Sequence, residues 1–250
     1  MNMLTNKLRL FLTVFAVLCL PHFDAAGEDG NKMLFQDFEQ QTPGDRPEGW
    51  RLTWGEMGDD TLTVSSLQAA AGKQSLLLDR TQGTSAKMYG IATDVPDISD
   101  GWAKLSFCVY VDGKGDDAQF GFLVRGASPS PGANEYIANV AFGSRAGGRN
   151  VTIINNNAKQ ILGTYDPQHW YRVTLWLPTA GGGQTEFFGM LESAEADGKW
   201  TKMDSLQSVP TNPPKRHYWR FEFTTAPNKR DYEVFVDNVS WEQTDLPPTQ

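Results

Sequence analysis

Trp170-Tyr171-Arg172-Val173-Thr174-Leu175-Trp176-Leu177 is the stretch on which the fold is read. Tyr171, Val173, Leu175 and Leu177 fall on one side of an extended chain, and Trp170, Arg172, Thr174 and Trp176 fall on the other. Side chains alternate across a strand with period two. One wholly apolar side therefore marks a sheet with a core on that side only, the habit of antiparallel sheets. Two more segments repeat the pattern. In Tyr218–Thr224, Trp219, Phe221 and Phe223 oppose Tyr218, Arg220, Glu222 and Thr224. In Trp102–Val111, Leu105, Phe107, Val109 and Val111 oppose Trp102, Lys104, Ser106, Cys108 and Tyr110. The second side repeatedly mixes large aromatics with polar groups.

Outward from these segments, short runs rich in aromatic and β-branched residues recur at Met33–Phe38, Leu76–Asp79, Lys87–Thr93, Gln119–Arg125, Tyr136–Phe142, Val151–Ile154, Thr185–Leu191 and Tyr232–Trp241. Turn signals separate them: Asp112-Gly113, Ser128-Pro129-Ser130-Pro131-Gly132, Gly147-Gly148, Gly181-Gly182-Gly183 and Asp197-Gly198. Such residues accept turn dihedrals and interrupt strands. Helical periodicity is almost absent. Many short strands at this spacing predict an all-β chain folded as one antiparallel β-sandwich.

The N-terminus carries a different signal. Lys7 and Arg9 stand at the head of the apolar run Leu8–Leu20, Pro21 ends it, and Ala25, Ala26 and Gly27 follow. This is the layout of a cleaved export signal, and the run is shorter than the roughly 20 residues of a membrane helix. Residues 1–26 are read as a signal peptide, 27–241 as a single sandwich domain, and 242–250, with Pro247-Pro248, as a flexible tail. The expected compartment is secreted or periplasmic. The chain has a formal charge of −8, and the signal contributes +1 (Lys7 and Arg9 against Asp24), which leaves about −9. That surface argues against nucleic acid and anionic membranes as partners, and no later apolar run could span a membrane. It permits neutral glycans, cationic ligands or a divalent metal. Once Cys19 leaves with the signal, Cys108 is alone, so no internal disulfide forms despite the oxidising destination. Its apolar setting marks an inert strand thiol.

Phe35-Gln36-Asp37-Phe38-Glu39 and Pro47-Glu48-Gly49-Trp50, then Gly72-Lys73-Gln74-Ser75-Leu76-Leu77-Leu78, and finally Phe235-Val236-Asp237-Asn238-Val239-Ser240 resemble jelly-roll carbohydrate-binding modules. His169-Trp170-Tyr171-Arg172-Val173 resembles the concanavalin A-like lectin and glucanase superfamily. The resemblance spans nearly the whole mature chain and implies a jelly roll. It also implies a structural calcium tying the first strand to the last, with Glu39 and Asp237 as carboxylate ligands and a carbonyl of the Gly72-Lys73 loop beside them. Calcium takes several hard oxygen ligands in irregular geometry. The alternative is that Asp37, Glu39 and Asp237 are ordinary solvated carboxylates at strand ends.

No G-x-S-x-G elbow, H-E-x-x-H, phosphate-binding loop or dinucleotide fingerprint occurs, so the usual motifs of catalysis are missing. Glu192-Ser193-Ala194-Glu195-Ala196-Asp197 is the nearest approach to the interleaved carboxylates of laminarinase-like sandwiches, and it reads as a strand entering a turn. A carboxylate pair from separate strands would suffice for glycoside hydrolysis, and Glu222 is the first to test. Alginate-lyase-like sandwiches use Arg, Gln, His and Tyr; Arg125, Gln119, His169 and Tyr110 supply the types without the local motifs. The leading expectation is an exported, non-catalytic polysaccharide- or glycan-binding domain. Sugar C–H faces pack on aromatic rings, and hydroxyls bond planar polar groups. Trp170, Arg172 and Trp176 on one strand, with Tyr218, Arg220 and Glu222 on another, are the expected ligand-binding residues. They form one patch if the two strands share a sheet. A glycoside hydrolase or polysaccharide lyase, and an envelope domain without a small ligand, are the alternatives.

Overall fold

The computed structural model describes residues 32–81, 87–113, 118–126, 136–143, 148–155, 158–179, 181, 183–211, 218–226 and 231–245. The expected signal peptide lies outside the described residues, as do residues 246–250 and the side chains of Tyr218 and Trp219. No helix occurs among the described residues, and none is long and apolar enough to cross a membrane. Strands are numbered in chain order. The first sheet runs β13 (Trp200–Lys202), β12 (Glu186–Ala194), β11 (Trp170–Pro178), β6 (Trp102–Gly113), β16 (Tyr232–Thr244), β4 (Ser75–Asp79), β3 (Thr61–Ser65). Two further strands join it, β1 (Lys32–Gln36) on β16 and β14 (Gln207–Pro210) on β12, making nine. The second, seven-stranded sheet runs β10 (Ala158–Thr164), β9 (Asn150–Asn155), β8 (Tyr136–Gly143), β7 (Gln119–Gly126), β15 (Tyr218–Thr225), β5 (Tyr89–Asp94), β2 (Arg51–Gly55).

The two antiparallel sheets form a sandwich, with the core between them. Tyr171, Val173, Leu175 and Leu177 of β11 are buried there, as alternation requires, and Phe221 and Phe223 of β15 meet them from the other sheet. Phe122 lies 4.5 Å from Phe107 of the opposite sheet and stacks on Phe221 at 5.6 Å. Offset and tilted ring pairs at this range add to the area that each aromatic buries.

β16 is the hinge of the topology. Its first half pairs with β4 (Val236 opposite Leu76), and its second half with β1 (Gln36 opposite Val239). Between the halves the register against β6 shifts between Asp237 and Ser240, and Asn238 adopts φ 50. The extra residue of this bulge restores alternation, so that Val239 and Trp241 rejoin the core. β16 also ends later than expected: Glu242, Gln243 and Thr244 still pair with Lys104, Ala103 and Trp102. The expected tail beginning at residue 242 is thus corrected, because three more ladder pairs hold those residues in the sheet.

Candidate functional site

β11 is central in the first sheet and β15 is central in the second. Trp170, Arg172 and Trp176 therefore point out of one side of the sandwich, and Arg220 and Glu222 point out of the other. The expected single patch is corrected: alternation tells which residues share a side of a strand but not which sheet the strand joins. The outer face of β11 is also packed. Trp176 is 8% exposed, and Trp170 lies 5.4 Å from Tyr110, which forms an outer apolar cluster with Leu77 and Phe235. Arg172 Nε donates to Glu192 Oε2 at 2.6 Å, and its guanidinium sits 4.9 Å over the Trp200 ring.

The face of the second sheet is built differently. Glu222 is 0% exposed although it points away from the core. Its Oε1 accepts from Trp54 Nε1 and from Arg125 Nη2, both at 2.9 Å. Its Oε2 accepts from Thr53 Oγ1 at 3.2 Å and lies 3.8 Å from Arg220 Nη1. The register explains the convergence. Arg220 stands opposite Asp94 of β5 and Arg125 of β7, while Thr224 stands opposite Gly90 and Gly121. At β2, a shift between Leu52 and Trp54 re-aims the strand, so that Thr53 and Trp54 both reach over β5. Gly90 makes this possible, since a Cβ there would fall 2.2 Å from Trp54 Nε1. Beside them Arg51 grips Asp94 with two bonds at 2.9 and 2.8 Å. Burial holds Arg220 below the usual arginine range, and the charges of Arg51 and Arg125 add to this against the pull of Glu222 and Asp94.

A buried ion pair costs desolvation that well-packed apolar residues avoid, so the fold does not require one here. This network was missed in the sequence. Arg125 had only a lyase counterpart to recommend it, and Thr53 and Trp54 lie in a strand whose mixed pattern gives no alternation signal.

Glu39 and Asp237 come together where β1 gives way to β4 along β16. Glu39 Oε1 accepts from the amides of Lys73 and Gln74 at 2.7 and 2.8 Å. Asp237 Oδ2 accepts from those of Ala70 and Ala71 at 2.9 and 3.2 Å, and its Oδ1 from Asn238 at 2.7 Å. One loop is thus fastened by both carboxylates, and a Cβ on Gly72 would fall 2.3 Å from Glu39 Oε1. Burial pushes Asp237 up to about 7, and the Glu39 charge adds to the rise against three backbone hydrogen bonds. Nearby, Gln74 Oε1 is buried with no hydrogen-bond partner. Two carboxylates with mutual repulsion and an orphaned amide oxygen are hard donors that suit calcium. The described residues hold no group of three or more His, Cys, Asp or Glu side chains placed for a metal, so carbonyls or water must complete such a shell.

Elsewhere, His169 Nε2 lies 2.8 Å from Ser193 Oγ, and Cys108 is buried, with desolvation pushing its thiol well up. Neither borders the Glu222 network.

The two antiparallel sheets make a jelly-roll sandwich, a fold shared with solved lectins and a glycoside hydrolase domain. The catalytic domain of the glycoside hydrolase family 131 protein from Coprinopsis cinerea superposes with TM-score 0.56 at 10% identity, over 88% of this chain and 98% of that one. Lectin UEA-II complexed with galactose gives 0.52 at 10% identity, over 84% and 98%. A sialidase gives 0.55 at 14% identity over 86% of this chain, which spans 19% of the sialidase chain. No protein-family model and no curated protein sequence matches the chain.

Proposed function

We propose that this is an exported glycan-binding protein whose ligand lies on the outer face of the seven-stranded sheet, around Glu222. The observation that carries the reading is the Glu222–Trp54–Arg125 network, a fully buried charge on the outside of a sheet. Trp54 is part-exposed, and its bond to Glu222 fixes the plane of the indole. A fixed, half-open aromatic ring is a platform for the C–H face of a sugar. Arg51 and Asp94 keep 47% and 55% of their side-chain surface beside it, and they offer planar groups to hydroxyls. Glu222 acts as a positioning residue: it is sealed from solvent, and its Oε1 holds the Trp54 indole and the Arg125 guanidinium. The similar folds support the architecture, and Trp54, Arg51 and Asp94 support the sugar.

Retention on insoluble polysaccharides tests the reading. Trp54→Ala should weaken retention at least thirtyfold, the equivalent of about 2 kcal/mol for a truncated hot-spot aromatic, without release of reducing sugar or unsaturated products by the wild type. Wild-type retention by Trp54→Ala would move the site elsewhere. A calcium ion held by Glu39 and Asp237 is part of the proposal as a fastening of the terminal strands.

A further inference from the structure

Three guanidiniums meet on the outer face of the seven-stranded sheet, and two carboxylates face them. Arg220 of β15 stands in register between Asp94 of β5 and Arg125 of β7, and Arg51 of β2 holds Asp94. Asp94 commits both oxygens to Arg51. Glu222 Oε1 accepts from Arg125 Nη2 at 2.9 Å, whereas Arg220 Nη1 lies 3.8 Å from Glu222 Oε2, outside hydrogen-bond range. Arg125 and Arg220 therefore draw on one carboxylate while standing opposite each other on neighbouring strands. Like charges so placed repel. The depressed pKa of Arg220 agrees: burial holds it down first, and the charges of Arg51 and Arg125 push the same way. Among the described residues, the cluster has three cations against two anions.

The cluster is open to solvent. Beside the exposed Arg51 and Asp94, Arg125 and Arg220 keep 15% and 16% of their side-chain surface, although Glu222 between them keeps none. The two inner cations are thus reachable, yet desolvated enough to strengthen a pairing with an anion. They also lie within one sugar unit of the proposed platform. Trp54 Nε1 and Arg125 Nη2 both bond Glu222 Oε1 at 2.9 Å, so at most twice that distance separates indole nitrogen from guanidinium. A carboxylate on the carbon beside a pyranose ring reaches the arginines from a ring stacked on Trp54.

We infer that Arg125 and Arg220 receive the carboxylate of a uronate unit, which makes the ligand of this face an acidic polysaccharide. This names the class of glycan and rests on the glycan reading above. A guanidinium presents five N–H donors in a planar fork that matches the two oxygens of a carboxylate, so the bond to Glu222 does not exhaust Arg125. A neutral sugar leaves the three cations repelling one another, and a cationic sugar adds to the repulsion. One carboxylate balances the cluster. The chain as a whole has a formal charge of −8, so its overall field repels an acidic polymer. The attraction comes from the contacts on this face.

Affinity electrophoresis through soluble polysaccharides tests the inference, with a melting temperature for each variant. The probes are polygalacturonate and alginate, each with its esterified form, together with dextran sulfate and a neutral β-glucan. Wild type should be retarded by a uronate polymer and should bind its ester roughly tenfold less, the worth of one hydrogen bond to a charged group. Binding should weaken as salt rises, since screening acts on exposed charges. Arg220→Gln keeps N–H donors and loses the charge; it should bind the uronate polymer roughly tenfold less and the ester as wild type does. If the ester or the β-glucan binds wild type as tightly as the uronate polymer, and Trp54→Ala loses that binding, the uronate is wrong and the glycan face stands. Esterification alters only the ligand, so an Arg220→Gln that fails to fold does not shelter the inference. Retardation by dextran sulfate alone overturns the carboxylate assignment. Binding to none of the probes overturns this inference and the glycan reading together.

Discussion

Asp237 and Glu222 are both sealed from solvent, but Glu222 faces guanidinium groups whereas Asp237 faces backbone amides and a second carboxylate. The difference has a sign that can be measured. Asp237 is raised from 3.8 to about 7 in the folded protein, so the folded state binds its proton more tightly than the unfolded chain does. Stability from this group is then greatest below about 4 and falls as pH rises through about 7. Chelator-treated protein should melt at a higher temperature at pH 5 than at pH 8, and Asp237→Asn should flatten that part of the profile. Calcium bound beside Asp237 would take the place of the proton. At a hundredfold excess over its dissociation constant it adds about 2.7 kcal/mol, so chelator should lower the melting temperature at pH 8. An unchanged melting temperature with chelator removes the ion from the account.

At the scale of elements, β6, β11 and β15 were legible because each has one unbroken apolar side, and β16 because it is a long aromatic and β-branched run. β2 and β3 were not. Each has five residues, and Arg51-Leu52-Thr53-Trp54-Gly55 mixes polar and apolar positions around a register shift. The reach of Trp54 to Glu222 depends on Gly90, in a different strand, and no local pattern announces such a partnership. Gly90→Ala should therefore displace the indole, weaken glycan retention and lower the melting temperature, since its Cβ would also meet Glu222 Oε1 at 2.9 Å. Full retention by Gly90→Ala would show that the ring position is immaterial. The partition of strands between sheets was likewise hidden: β11 and β15 have the same alternation and end on opposite sides of the sandwich. Trp176 shows the consequence. It was expected to be an open binding residue, but it is packed with 8% exposure, so Trp176→Ala should cost about 3–5 kcal/mol of stability. A variant that melts normally and loses glycan retention would restore it to a binding site.

Across the whole molecule, no disulfide occurs among the described residues, where Cys108 is a free thiol, and the first described strand pairs with the last, β1 on β16. There, Glu39, Asp237 and the loop at 70–74 lock the first strand against the last. Glu39 and Asp237 were paired in the sequence only through resemblance, because residues so far apart leave no periodic trace of their contact. The outer face of the seven-stranded sheet gathers Arg51, Arg125 and Arg220 around Glu222 and Asp94, and that face is the proposed ligand site. A crystal structure of the protein soaked with an oligosaccharide cut from the polysaccharide it retains tests this most directly. The expected result is a sugar ring over Trp54, with hydroxyls on Arg51 or Asp94. A sugar seated instead on the Trp170–Trp176 face, with the Glu222 face bare, would contradict it.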